Sequence, residues 1–481
     1  MANILVLGVG PLPFEHTERL HAPGIRTWQL ASAIASQQHF VTLCIIDFGD
    51  FSTKTKPGKP SPASRQELST NIIMVRIAYH PQESIDAIRT LHAATRFSAI
   101  VSSSDIMNGT AADLELNLPL WLDYNGDPFA EKQLQANVYK HDGSLLPQWI
   151  LYQKGLLRGD RFSVCSQAQR HALIGQLAFA GRLTGNNSGE ELIHVLPNCS
   201  RVMAERTPVR HKILKGSRIP TTAFLVLWSG GYNTWCDPEL LFNGLVQAME
   251  QDPMIYFATT GGALEGHDTL SFSVFKELVE SSPLRERFTF LGWIPTEEVG
   301  HYYEQADLAI FTDRYSVEGE LGTRTRIIDW IQFQTPIACT KLCELAHELS
   351  DLELIETFTI GDPTSLAETI LKVKSHPEEA KIKAHKALEW FNQAMDESVV
   401  FQPLIDWVNA PRKAGDLQIT TTTNTMETSS PLSLLGQIQY NAVLRKPNSN
   451  ESAHVIAPPD PATQSKQAPR KGFLGFFKRN R

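Results

Sequence analysis

The sequence is short of several features that would narrow its role at once. It has six cysteines in 481 residues, at 44, 165, 199, 236, 339 and 343. No two form a C-x-x-C pair, and Cys339 and Cys343 have no nearby histidine. That pattern speaks against zinc and against a disulfide scaffold, and leaves buried free thiols in a reducing compartment. No stretch reaches the roughly 18 apolar residues needed to cross a bilayer. The opening MANILVLGVGP has no basic n-region and no small-residue cleavage site, unlike a secretory leader. Positive charge is not in excess either: 44 Lys and Arg face 52 Asp and Glu, a formal net charge of −8. Nucleic acid is therefore not expected as a partner, and an anionic membrane could be met only through a local patch. The expectation is a cytoplasmic protein, or one peripheral at the inner face of a membrane.

What is present is the composition of a globular chain, 42% hydrophobic and 20% charged, long enough for two or three domains. Asn3 to Gly8 (NILVLG) reads as a strand buried in a parallel sheet, followed by the loop Gly10-Pro11-Leu12-Pro13 and an amphipathic helix from Ile25 to about Ala35. VTLCIID ends a second strand at Asp47, and strands are expected at 71–78, 98–102 and 119–123. Another series opens near residue 222 with TAFLVLW and the turn Gly230-Gly231. Asp237-Pro238 then starts the helix ELLFNGLVQAME. Strands IYFATT, FTFLG and DLAIFT, the helix TRIIDWIQFQ and the strand PIACT follow. Two such alternations predict an α/β protein of two Rossmann-like domains, 1–200 and 201–390, facing across a cleft. A terminal helix at 391–410 would return to the first domain. Residues 411–481 hold too little apolar surface to fold and read as a disordered tail, interrupted at 431–444 by a short docking helix.

In doubly wound sheets ligands bind outside the carboxyl ends of strands, where glycine turns let backbone N–H groups approach phosphate. Three such turns occur: Gly8-Val9-Gly10, Gly230-Gly231 and Gly261-Gly262. The first lacks the third glycine of the dinucleotide fingerprint, and Pro11 and Pro13 stand where that motif would enter its helix. Gly230-Gly231 is better placed because a helix starts soon after it, although a plain tight turn would look the same. The stretch 313–336, DRYSVEGELGTRTRIIDWIQFQTP, concentrates functional residue types. Glu318 and Glu320 read as loop residues, and a helix from about Thr323 sets Arg326 and Asp329 three positions apart. Carboxylates suit sugar and ribose hydroxyls, and arginines at a helix start suit a leaving diphosphate. The alternative is a set of solvated charges with an Arg–Asp ion pair tying helix to sheet. Asp123-Tyr124-Asn125-Gly126-Asp127, a strand end without D-x-D metal spacing, either faces the cleft and binds acceptor hydroxyls or forms a capped turn. His16, His21 and Arg26 are further acceptor-side candidates on the N-terminal loop.

The segment 313–336 resembles the donor-site loop and helix of family-4-type GT-B glycosyltransferases. It is closest to a bacterial branch with an acidic loop and an R-T-R-(I/L)-(I/L)-D-(Y/W) helix. Here those residues are Glu318, Arg324-Thr325-Arg326-Ile327-Ile328-Asp329-Trp330 and Thr335-Pro336. The pieces at 10–31, 159–177, 227–241 and 290–311 agree in order, so the likeness spans about 3–408. It implies the GT-B fold and a transferase that moves a sugar from a nucleotide-sugar donor to a saccharide or lipid-linked acceptor. Retention at the anomeric carbon, no metal and no cofactor are part of that implication. Glu318 would contact the donor sugar, Asp329 the ribose, and Gly230, Gly231 and Tyr232 the diphosphate turn, with Arg324 and Arg326 near it. Gly10 would face the acceptor. The chain departs from the family pattern in the spacing of Glu318 and Asp329, in Tyr232 to Trp235 replacing the turn's usual Arg and Lys, and in Gln334 at a glycine position. A second reading is therefore a GT-B protein without turnover, a scaffold or sugar-binding partner in a polysaccharide or envelope assembly. A third, a sugar-nucleotide epimerase, would want carboxylates and a histidine in the cleft. Residues 466–481 carry Lys466, Arg470, Lys471, Lys478, Arg479 and Arg481, no acidic residue, and Phe473, Leu474, Phe476 and Phe477. Such a segment suits an anionic membrane surface or a protein partner.

Overall fold

Apolar strands alternating with amphipathic helices can bury both sheet faces only by winding the helices over them, and in the computed structural model this happens twice. The structure describes residues 1–15, 21–48, 64–199, 214–418, 438–439 and 441. The first lobe begins with β1 (Asn3–Gly8), α1 (Ala22–Ser36), β2 (Phe40–Asp47), β3 (Ser64–Ser69) and β4 (Ile72–Ala78). It continues through α2 (Pro81–Thr95), β5 (Ala99–Ser103), α3 (Asp105–Asp113), β6 (Leu120–Tyr124) and α4 (Pro128–Tyr139). It closes with α5 (Leu145–Arg158), β7 (Arg161–Val164), α6 (Gln167–Phe179) and β8 (Ile193–Val195). The second lobe runs β9 (Phe224–Trp228), α7 (Pro238–Gln251), β10 (Ile255–Thr260), α8 (Leu270–Glu280), β11 (Phe288–Gly292) and α9 (Thr296–Tyr303). Then come β12 (Leu308–Phe311), α10 (Val317–Leu321), α11 (Thr325–Gln332), β13 (Ile337–Thr340), α12 (Glu344–Asp351) and β14 (Glu356–Phe358). Four helices finish the described fold: α13 (Pro363–Ser375), α14 (Pro377–Ala394), α15 (Glu397–Val400) and α16 (Gln402–Asn409).

The first sheet has the order β3-β4-β2-β1-β5-β6-β7-β8 and is parallel except for β3 against β4. The second, β11-β10-β9-β12-β13-β14, is parallel throughout. Strand order reverses between β1 and β5 and between β9 and β12, and these switch points are where open sheets accept ligands. The edge strand β3 (SRQELS) was not expected. It has no apolar face and is exposed almost throughout, so it carries no periodic signal; it covers the edge of β4.

One core cluster fills the second lobe and two lie on the faces of the first sheet. Phe401, Leu404, Ile405 and Val408 pack with Ile4, Val6 and Leu43, so α16 belongs to the first lobe's core. Ala380, Ala387 and Phe391 of α14 belong to the second lobe's core. The fold also runs beyond 410, where the tail was expected to begin. Ala414 is fully buried, its N–H donates to Asp160 at 2.9 Å, and Asp416 pairs with the fully buried Arg182. A buried guanidinium needs a counter-ion, and a polar segment supplies it without any hydrophobic pattern. The expected docking helix at 431–444, apart from three of its residues, and the basic-aromatic end at 466–481 lie outside the described residues. All six cysteines are free and buried. Among the described residues no helix is long and apolar enough to cross a membrane.

Candidate functional site

At the switch point of the second sheet, β9 runs out into Ser229-Gly230-Gly231. Gly230 and Gly261 have φ of 85° and 82°, a region that favours glycine. A Cβ on Gly261 would come within 2.4 Å of the Gly230 carbonyl oxygen, so the two turns are in direct contact. The Tyr232 N–H donates to the Gly262 carbonyl at 3.0 Å. Ser229 Oγ meets the Trp330 indole N–H at 3.0 Å and the Tyr303 hydroxyl at 3.1 Å, which ties α11 and α9 to the end of β9. Arg326, in the first turn of α11, lies over the rings of Phe311 and Trp228, 4.5 and 4.8 Å from their centroids. Its Nη2 donates to the Gly231 carbonyl at 2.9 Å, while Nη1 is buried without a partner. Burial pulls this guanidinium below the usual arginine pKa. A planar cation therefore stands beside the double-glycine turn with a donor to spare.

Arg324, two positions earlier, is used differently. Its Nη1 and Nη2 meet the two oxygens of Glu318 at 3.0 and 2.8 Å, and its Nε meets Asp313 at 3.0 Å. The Trp235 and Phe311 rings lie against it at 5.1 and 5.6 Å. Burial opposes its charge, but Asp313 and Glu318 more than offset this, and its pKa is raised well above the usual value. Three expectations change here. Glu318 is not on a loop: it sits in the short helix α10, which Ser316 caps by accepting the Gly319 N–H at 3.0 Å, and it is 7% exposed. Arg324 is committed to two carboxylates rather than to the glycine turn. Tyr232 is fully buried, stacked on Trp228 at 4.5 Å with its hydroxyl on Thr259 at 3.0 Å, so its side chain supports the turn from beneath and cannot touch a ligand. Asp329 is buried on α11, one turn beyond Arg326.

On the first lobe, Arg26 and Asp123 are brought together, but as a structural knot. Both side chains are fully buried and paired through two hydrogen bonds, 2.8 and 3.0 Å. Arg26 also donates to the carbonyls of Leu196 and Pro197, Asp123 accepts from Ser163, and the Phe401 ring lies 5.4 Å from the guanidinium. This ties α1, β6, β7 and the start of α16 and leaves neither residue for an acceptor. Gly10 lies beside Arg76 and Glu15, which pair with each other. His21 immediately precedes α1. His16 lies outside the described residues.

The lobes meet through α6 and α4 of the first, both of which α10 touches. Glu344, at the start of α12, accepts the N–H groups of Gln167 and Ala168 at 3.0 and 2.9 Å, a carboxylate at the N-terminus of α6. In the second contact, Glu131, Gln135 and Tyr139 lie at i, i+4 and i+8 on α4. They meet His267, Asp268 and Thr269: Glu131 to His267 at 3.4 Å, Gln135 to His267 at 3.1 Å, and the Tyr139 hydroxyl to Asp268 and to the Thr269 N–H at 3.0 Å. Glu131 is pushed up to about 7 by burial, with Lys132 opposing and Glu318 and Asp105 adding. His267 is brought down to about 4, chiefly by burial. Sequence reading missed Asp313, Glu344, Glu131 and His267. Only Asp313 carried a signal, as a carboxylate at the carboxyl end of a parallel strand.

Two Rossmann-like lobes of this kind, with a C-terminal helix returned to the first, form the GT-B fold. No family model matches the sequence, and none of the curated proteins matches it. Solved structures do match in fold. Sucrose-phosphate synthase (tll1590) from Thermosynechococcus elongatus is 17% identical, with a TM-score of 0.64 over 85% of this chain and 98% of that one. An alpha,alpha-trehalose-phosphate synthase (UDP-forming) from Burkholderia vietnamiensis is 10% identical, with a TM-score of 0.62 over 85% and 98%. Anabaena Alr3699/HepE, in complex with UDP and glucose, is 14% identical, with a TM-score of 0.57 over 85% and 100%.

Proposed function

We propose that the chain is a glycosyltransferase that moves a sugar from a nucleoside diphosphate sugar to a hydroxyl of a saccharide or lipid-linked acceptor, with retention and without a metal. The observation that carries this reading is the spare Nη1 of Arg326 beside the Gly230-Gly231 turn at a topological switch point. An arginine reaching in from α11 replaces the basic residues missing from the turn itself and stabilises the charge that grows on the departing diphosphate. Gly230 and Gly231 let the backbone approach the phosphates, Asp329 serves the ribose, and Glu318, held by Arg324, faces the donor sugar. The likeness in fold to a protein solved with UDP and glucose supports the choice of donor class.

The non-catalytic, sugar-binding reading has one observation in its favour: both oxygens of Glu318 are already taken by Arg324. Thermal unfolding against UDP, GDP, ADP and their sugars separates the proposal from no donor site at all. A site filled at a hundred times its dissociation constant adds about 2.7 kcal/mol of stability. A selective shift abolished by Arg326→Ala supports the donor site, and release of nucleoside diphosphate then separates turnover from binding. No shift with any nucleotide would sink the transferase reading. The segment 466–481 seats the enzyme at an anionic membrane or on a protein partner; liposome co-sedimentation unchanged by its removal would exclude the membrane role.

A further inference from the structure

A small cavity, open to solvent on one side, lies between the lobes next to the start of α11. Gly322, Thr323 and Ile328 form its second-lobe wall together with Phe391 and Met395 of the last helix before the chain returns to the first lobe. Asn198 lines the first-lobe side and is 7% exposed. Its Nδ2 has no hydrogen-bond partner, and its Oδ1 has only a 3.8 Å contact with the Cys165 thiol. A buried amide donor left unsatisfied costs about 1–3 kcal/mol, so the lining holds a donor that a ligand oxygen would satisfy.

The charge of the lining narrows what that ligand is. No Lys, Arg or His lines the cavity, and its two carboxylates are Glu344 and Glu348. Glu344 spends both oxygens on the N-terminus of α6. Glu348, at the exposed mouth, is raised chiefly by partial burial, with Glu344 beside it adding to the shift. A phosphate or carboxylate entering here would meet like charge with no cation to answer it. A neutral polyol would find one buried donor, one acceptor at the mouth, and an apolar wall for the C–H face of a ring.

We propose that this cavity is the acceptor subsite and that it takes a neutral, hydroxyl-bearing sugar ring, with Asn198 donating to one of its oxygens and Glu348 excluding phosphorylated sugars. The assignment as an acceptor site rests on the transferase reading; the assignment as a neutral-saccharide site does not.

The test uses the full chain and saturation-transfer NMR with methyl α-glucoside, methyl β-galactoside, methyl α-mannoside and glucose 6-phosphate, alongside the binding of UDP. At least one neutral glycoside is expected to bind, glucose 6-phosphate is not, and Asn198→Asp should weaken the glycoside about tenfold while leaving UDP binding unchanged. Glu348→Lys, a substitution at the exposed mouth that spares the core, should admit glucose 6-phosphate. Binding of no neutral glycoside, or a wild-type preference for glucose 6-phosphate, overturns the proposal. So does glycoside binding indifferent to both substitutions. Failure of UDP alone to bind removes the transferase reading and leaves a saccharide site in a binding protein.

Discussion

Arg324 and Arg326 stand two positions apart and meet opposite fates because one precedes the helix and the other is inside its first turn. Arg324, at the N-cap of α11, turns back to α10 and to the end of β12, where it balances Asp313 and Glu318. Arg324→Ala would leave two buried carboxylates without a counter-ion, and a loss of about 3–5 kcal/mol in urea unfolding is expected. Arg326→Lys should behave otherwise. It keeps the charge but loses the flat guanidinium that lies over Trp228 and Phe311. Calorimetry should show nucleotide affinity down about tenfold with a change in stability under about 1 kcal/mol; equal losses in both would make Arg326 a structural residue. Sequence reading reached both arginines because residue type and nearness to a helix start are visible in one dimension. It could not say which carboxylate each arginine would meet, since Asp313 and Glu318 both precede the helix at spacings that decide nothing without the turn of α10. The same blindness put Arg26 and Asp123 in the cleft: their chemistry suits an acceptor, but their complete burial is a property of packing.

Elements were legible where periodicity is strong. β1, β2, β5, β6, β9, β10 and β12 fall close to where their apolar runs place them, and Asp237 caps α7 at the Leu240 N–H as its Asp-Pro start predicts. The polar edge β3 and the three-residue strands β8 and β14 gave too short or too polar a pattern to read. The glycine turns gave their position but not their mutual contact. Gly261→Ala would force a Cβ against the Gly230 carbonyl at a φ of 82°. A cost of about 1–3 kcal/mol is expected, together with loss of the thermal shift from nucleotide; an unchanged shift would detach the second turn from the donor site. Helix α4 and the 264–269 loop carry a pH dependence with two signs. Glu131 has its pKa raised from 4.5 to about 7, so the stability it contributes is present below 4.5 and is lost as pH rises through 7. His267 is lowered from 6.5 to about 4, so its contribution is present above 6.5 and is lost as pH falls through 4. Glu131→Gln should remove the falling limb of a Tm–pH profile between about pH 4.5 and 7, and His267→Asn the rising limb between about 4 and 6.5; the two offset each other in the native chain, so each substitution should uncover the other's slope. Limbs unaltered by these substitutions would mean that neither group titrates at the lobe contact.

At the scale of the whole molecule, the two lobes are joined twice. Residue 199 belongs to the core of the first lobe and 214 to that of the second, and between α14 and α15 the chain comes back. The return does not stop at α16. Residues 411–418 continue along the first lobe, where the Gly415 N–H donates to Glu190 at 3.1 Å and Asp416 meets the Nε and Nη2 of Arg182 at 2.5 and 3.2 Å. Arg182 follows the end of α6, the helix whose other end Glu344 caps, so this last contact fixes an element that both lobes share. Side-chain exposures of 0% and 1% make it a fully buried pair. Removing one partner of such a pair costs about 3–5 kcal/mol, because the remaining charge stays buried. A chain ending at 410 should therefore unfold well below one ending at 418, and Asp416→Asn in the full chain should reproduce most of that loss. If truncation at 410 lowers the unfolding temperature while Asp416→Asn does not, the contribution of 411–418 comes from Ala414 and its backbone bonds. If neither change is felt, the segment adds nothing to the first lobe, and the fold ends at α16 as its apolar pattern suggests.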